Sequence, residues 1–377
     1  MNPMIGRWLR INLFNSVKNG CISIVLTGLC AYLAYALLRW AFLQANWDVV
    51  GNSMRVFMAG TYPAELLWRP WLSALILVFL SGASLGLVSH LKLHKGLALS
   101  GTLLLVALLS ASALPSTSQL CYLLLTATLA CLLSNHVPGV RRLVPWLWVL
   151  GMVVLCCLMS AAGTERWGGL LVSVLVTIVA AAFSLPLGIL LALGKCSKQP
   201  GIRCLCTAYI ETLRAIPLIL VVYSLWVLTP LILPQWNVPD LARGVLGFTL
   251  FFAAYVAEYV RSGLQSVPAG QVEAAQALGM RHWQINADVV LPQALRVSTP
   301  ALIGNVLDIF NNIPLLFIIG MTDFLRAGQM VLLSPQAGGH TYEIYAFMFV
   351  VYMVVASIMT YGSRRLEDAM NRGRHEN

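Results

Sequence analysis

The chain reads as an all-α integral membrane protein of about ten transmembrane helices, on three grounds. Its 377 residues are 59% hydrophobic and 10% charged, with a mean hydropathy of +0.80. A soluble globular chain carries about 25% charged residues. Apolar runs of about twenty residues, the length that crosses a bilayer as a helix, recur from one end to the other. The Lys and Arg residues gather at the ends of these runs, as they do in cytoplasmic loops. The net charge of +10 therefore belongs to membrane orientation; the scattered basic residues form no stripe for nucleic acid.

The expected spans are 19–43, 71–90, 97–114, 118–134, 143–162, 169–194, 206–233, 242–262, 297–320 and 342–362. The first follows Arg7, Arg10 and Lys18 as a signal peptide would, but it is long and shows no convincing cleavage site, so it reads as an uncleaved anchor. A long outer loop, about 44–70, comes next. A polar insert near 265–295 separates the eighth and ninth runs. With that insert in the cytoplasm both termini fall there too, and 17 of the 24 Lys and Arg face inward. The inverted arrangement would put those 17 outside, against the positive-inside rule. The chain divides near residue 165. Residues 1–164 form an N-terminal accessory region of about five helices. Residues 165–377 form a core of about five helices with the insert and nearly all the intramembrane polar chemistry. No internal repeat is visible, so an inverted-repeat transporter has no positive support.

Several motifs are packing features. The nine cysteines include no CxxC pair, and six of them, Cys21, Cys30, Cys121, Cys131, Cys156 and Cys157, lie in apolar runs as small packing residues. His90 and His94 sit beside Lys92 and Lys95 as interfacial basic residues, so no metal site is expected. Gly82-Ala83-Ser84-Leu85-Gly86 fits the GxSxG nucleophile pattern but lies inside a span, where small residues let helices approach. A membrane-embedded hydrolase on Ser84 has no visible triad, and no catalytic residue is assigned. Gly188 to Gly194-Lys195-Cys196 has five residues between its glycines, where a phosphate loop has four, and Cys where Ser or Thr must bind magnesium. The chain thus has no nucleotide site of its own, and its energy comes from a partner or a gradient.

The core holds the informative residues. Glu211 and Arg214, three apart before Pro217, are placed to pair on one helix. Pro217 removes a backbone hydrogen bond and kinks the helix. Glu258 follows in Ala254-Tyr255-Val256-Ala257-Glu258-Tyr259-Val260-Arg261-Ser262-Gly263. Charges in a membrane segment cost about 2.5–3.5 kcal/mol each at its centre, so they are seldom idle. Asn305, Asp308 and Asn312 share one helix face at i, i+3, i+7, facing protein or water and not lipid. They are candidates for the translocation pathway, or for a seam against a partner. The insert itself runs Glu273-Ala274-Ala275-Gln276-Ala277-Leu278-Gly279, then Arg281-His282-Trp283-Gln284, then Val289-Val290-Leu291-Pro292. A short helix, a Gly bend and a second short helix is its natural form.

That spacing resembles the EAA loop of permease subunits of ATP-binding-cassette importers, with Val289 where the family usually has Ile. Residues 254–263, leading through Pro268-Ala269-Gly270-Gln271 into Glu273, are similar to the same region of polar amino-acid importers, and the match covers about residues 165–366. Residues 57–69 resemble the outer loop of the M-type permease subunit of general L-amino acid importers. Asn311-Asn312-Ile313-Pro314-Leu315 departs from the Lys-Asp-Thr/Ser-Ser/Thr-Leu type run of many relatives.

The resemblance implies a type I importer core in the C-terminal half and a coupling role for Glu273, Ala274, Ala275, Gly279, Leu291 and Pro292. It implies a pathway or gate drawn from Glu211, Arg214, Glu258, Asn305, Asp308 and Asn312. It implies a homologous second permease, two ATPase subunits that use ATP and Mg, a periplasmic amino-acid-binding protein, and a bacterial inner membrane. The alternative from another class is a gradient-driven secondary transporter or channel without ATPase partners.

Overall fold

The computed structural model describes residues 12, 15–88, 97, 99–103, 115–335 and 338–372. Among them seven helices are long and apolar enough to cross a membrane, and one bent pair forms either a broken eighth span or a re-entrant loop. In chain order the helices are α1 (Val17–Leu43), α2 (Asp48–Asn52), α3 (Met54–Ala59), α4 (Trp68–Val88), α5 (Pro115–His136), α6 (Pro138–Met159) and α7 (Gly169–Lys195). There follow α8 (Pro200–Ala215), α9 (Leu218–Ile232), α10 (Asp240–Gln265), α11 (Ala269–Ala277), α12 (His282–Gln284), α13 (Leu291–Asn312), α14 (Phe324–Leu332) and α15 (Thr341–Arg372). Every expected span except 97–114 falls on these helices. That run lies almost wholly outside the described residues, as do Arg7, Arg10, His90 and His94.

Helix α1 begins at Ser16, whose hydroxyl accepts the Asn19 amide at 3.2 Å, a serine N-cap. It is apolar all round and buries only Gly20, as a helix bathed in lipid does. The centre of the molecule is the pair α7 and α10. Along α10 the small residues Gly244, Gly247, Ala253, Ala254, Ala257 and Gly263 are all buried, which lets neighbouring backbones approach closely. A Cβ on Gly188 of α7 would stand 2.9 Å from the Ala253 carbonyl of α10.

The first half shares this core. Ala59 and Tyr62 belong to the same buried cluster as Leu171, Val172 and Phe248. Tyr62 donates to the Met159 carbonyl at 3.2 Å, and Trp167 Nε1 donates to the same oxygen at 2.9 Å. Phe57 packs its ring on Phe347 at 4.9 Å and on Phe324 at 6.0 Å. Gly60, at φ 63°, crosses Gly168 so closely that a Cβ would lie 2.6 Å from the Gly168 Cα. Gly168 and Gly169 bridge in parallel to Thr322 and Asp323. Asp323 is fully buried and caps α14, accepting from the Leu325 and Arg326 amides at 2.9 and 3.0 Å.

Gly82 and Gly86 of α4 lie against Ala127 and Cys131 of α5. Ser84 donates to the Leu80 carbonyl at 2.9 Å and accepts from Trp148 Nε1 at 2.8 Å. Its hydroxyl is thus spent on packing. Gly188 to Lys195 lies within the unbroken helix α7, with no loop there to cradle a phosphate.

One expected span is corrected. The run 206–233 is not one helix with a kink but two helices, α8 and α9, bent by 108°. Ile216, the C-cap of α8, has ψ 137°, and Pro217 follows it. The residue before proline is pushed out of the helical region, and the proline supplies no N–H; together they permit a corner. At the ninth span the regular helix ends at Asn312 and a 3₁₀ stretch, Ile313–Ile319, carries Pro314.

Candidate functional site

The insert projects from the end of the core where α7 finishes at Lys195. Helix α11 starts behind Pro268, whose fixed φ suits a helix entrance. It closes with Leu278 N donating to Ala274 O at 3.1 Å and Met280 N to Ala275 O at 3.2 Å. Gly279 sits at φ 75°, and a Cβ added there would meet no heavy atom within 4 Å, so backbone angle, not crowding, selects glycine. Gln284 then folds back so that its Oε1 accepts the Arg281 amide at 2.9 Å. A π-helical turn, Ile285–Val290, leads into α13. The expected order of short helix, glycine bend and short helix is what the backbone does.

The side chains sort into two sets. Glu273, Ala274, Gly279 and Pro292 are exposed. Ala275 is buried, and its methyl fills a small core with Ile285 and Val290. Leu291 is half-buried and packs with Ile210, Val256 and Val260, so it roots the insert to the bundle. Two residues that motif reasoning passed over stand out. Leu278 is 82% and Trp283 64% exposed on an otherwise polar element. Large apolar side chains on such an element were the available signal.

Behind the insert lies an ion cluster joining three helices. Lys195 Nζ stands 2.6 Å from Glu258 Oε1 and 2.8 Å from Glu211 Oε1. Glu258 Oε2 also receives Arg261 Nη2 at 3.0 Å and lies 3.7 Å from Arg214 Nη1. Arg214 stacks its guanidinium 5.7 Å from the Tyr255 ring centroid. The expected Glu211–Arg214 pair along α8 does not form. Each residue pairs across helices, because Lys195 and Glu258 present closer opposite charges than the next turn does. The roots of α10 and α13 are held together beside this cluster, since Gly263 leaves no room for a Cβ against the Ala294 backbone.

On α13, Asn305 is buried with its Oδ1 lacking a hydrogen-bond partner among the described residues. Asp308 is exposed, and Asn312 Nδ2 donates to the Asp308 carbonyl at 2.8 Å. The stripe is thus present, with one end inside the fold and the other at its surface. Among the described residues no group of three or more His, Cys, Asp or Glu is placed to hold a metal.

Residues 184–369 match the family described as binding-protein-dependent transport system inner membrane component. The chain is 33% identical over 385 residues to the inner membrane amino-acid ABC transporter permease protein YhdY of Escherichia coli (strain K12), covering 97% of this chain and 93% of that protein. It is 36% identical over 211 residues to the glutamate/glutamine/aspartate/asparagine transport system permease protein BztC of Rhodobacter capsulatus, over 55% of this chain and 49% of that one. A solved structure of an amino acid ABC transporter with histidines superposes at a TM-score of 0.47 and 28% identity, over 53% of this chain and 91% of that one. By its match over nearly the whole length of a relative, the chain belongs to the binding-protein-dependent transport system inner membrane components, a family of multi-pass ABC permeases.

Proposed function

We propose that the chain is the permease subunit of an ATP-driven importer that moves amino acids across the inner membrane by alternating access. The observation that carries this reading is the insert. It is a folded element with its own small core, held to the bundle by Leu291 and showing Glu273, Ala274, Leu278 and Trp283 to the surroundings. An apolar pair flanked by a carboxylate suits a soluble partner better than water. That partner is a pair of ATPase subunits which bind ATP and Mg. This chain binds neither and catalyses no reaction itself.

The insert and both termini face the cytoplasm in this reading, and the 44–70 loop faces the periplasm and an amino-acid-binding protein. A second, homologous permease completes the pathway beside the core of residues 165–377, with residues 1–164 accessory to it. ATP binding draws the ATPases together, the insert moves with them, and the bundle alternates between outward and inward access. Glu211, Arg214 and Glu258 act at the gate; Asn305, Asp308 and Asn312 line the path or the seam with the second permease. Amino acids as cargo follow from the relatives' named activities.

Purification of the intact complex, with its subunits and bound ligand identified by mass spectrometry, tests this. We expect an ATPase, a second permease and an amino acid. Gradient-driven uptake by a preparation without any ATPase subunit would replace the importer by a secondary transporter.

A further inference from the structure

We infer that α8 is a hinged arm held shut by a two-sided latch at Lys195, released when the insert is displaced. The inference rests on the importer reading, because it concerns how motion of the insert reaches the bundle. Lys195 shares one ammonium between two carboxylates on different helices, and the two are not equivalent. The Glu258 side chain keeps 14% of its exposure and holds Arg261 as well. The Glu211 side chain is 58% exposed, and its one ion pair among the described residues is with Lys195.

The asymmetry decides what opening costs. If α8 swings away, Lys195 stays on Glu258 and Glu211 passes into water. Arg214, 37% exposed and 3.7 Å from Glu258, passes into water with it. No charge is stranded inside, and stranded charge is what makes most buried ion clusters resist opening. The cluster therefore yields at Glu211 and holds at Glu258.

Three further features suit a hinge. Pro217 and the extended Ile216 form the 108° corner at which α8 meets α9. Glycine at 194 brings α7 close against Cys206 of α8, where a Cβ would collide with the sulfur, so parting the two helices uncovers Cys206. Both roots of the insert touch the arm's seat. Glu258 and Arg261 lie within the last two turns of α10, and Leu291 shares a cluster with Ile210 of α8. Other ties that must yield include the fully buried Ile210, the Arg214 guanidinium over the Tyr255 ring, and Tyr209, whose hydroxyl donates to the Leu250 carbonyl at 2.8 Å.

Cys206 reports the separation. In the purified full complex, with every other cysteine of this chain replaced, its alkylation by a maleimide is timed with and without ATP. We expect Glu211→Gln to speed alkylation by about two- to fivefold, the bias an exposed ion pair exerts. Glu211→Asp, which keeps the charge, should stay within about twofold of the parent. ATP should speed it in the parent as well. Equal rates for the parent and Glu211→Gln overturn the latch. A fast Glu211→Gln with no response to ATP overturns its link to the insert. A complex that lacks an ATPase sinks the importer reading alone, and the comparison of Glu211→Gln with the parent is still read without ATP.

Discussion

Gly60 and Gly168 meet backbone to backbone, with only 2.6 Å between a Cβ placed on the first and the Cα of the second. The contact fastens the 44–70 loop to the start of α7, and Gly60 also needs its positive φ of 63°. Gly60→Ala should cost about 2–4 kcal/mol through strain and overpacking together. Gly28→Ala, on α1 with open space around it, should be neutral or slightly stabilising. Thermal melting of the two variants in detergent separates them, and equal melting temperatures would show that the crossing bears no stability.

Glu258 is the acceptor that three cations share, and Glu211 is an arm at the edge. Removing one partner of a fully buried ion pair costs about 3–5 kcal/mol. With 14% of its side chain exposed, Glu258→Gln should cost somewhat less, about 2–3 kcal/mol. Glu211→Gln should cost under about 1 kcal/mol. Denaturant titration of the purified protein reads both, and a reversed order would contradict the partition of burial between them.

Leu278 and Trp283 support no part of the fold, so Leu278→Ser and Trp283→Ala should leave melting within about 0.5 kcal/mol of the parent. Each should weaken ATPase association about 10- to 100-fold, as loss of an apolar anchor does. Ala275→Leu should do the reverse, harming stability first, because the site between Ile285 and Val290 is filled. Binding of purified ATPase to the variants, measured by light interferometry in detergent, distinguishes anchors from bystanders.

Burial pushes the Asp323 carboxyl up to about 6, against the pull of the Leu325 and Arg326 amides. The folded chain then keeps a proton that the unfolded chain releases near 3.8. Stability from this group is present below about 4 and is lost as pH rises through about 6. Asp323→Asn keeps an oxygen for the α14 cap and should raise stability by about 1–3 kcal/mol at neutral pH. It should also flatten the melting profile between about pH 4 and 6. An unchanged pH profile in this variant would assign the slope to another group.

Much of this architecture is written in local pattern. Runs of apolar residues mark the helices because each span must satisfy its backbone internally, and Gly279 marks a bend that the backbone makes at φ 75°. What local pattern could not carry is partnership across the fold. Glu211 and Arg214 have the spacing of a helix pair, yet Lys195 and Glu258 take them, 16 and 44 positions away in the chain. Pro217 foretells a break, but the 108° angle depends on what α10 offers each half to pack against. Ala274 and Ala275 look alike in sequence; only the position of Ile285 tells which one turns inward.

The two roots of the insert differ mechanically. On one side Ser266, Val267 and Pro268 interrupt the helix between α10 and α11. On the other, the chain stays helical without a break from His282 through the π turn to Asn312. A rod carries thrust and torque, whereas a short non-helical link carries little but tension. Load applied at Trp283 therefore enters α13 first and passes to α10 where Ala294 lies against Gly263, and the insert works as a crank keyed to one shaft.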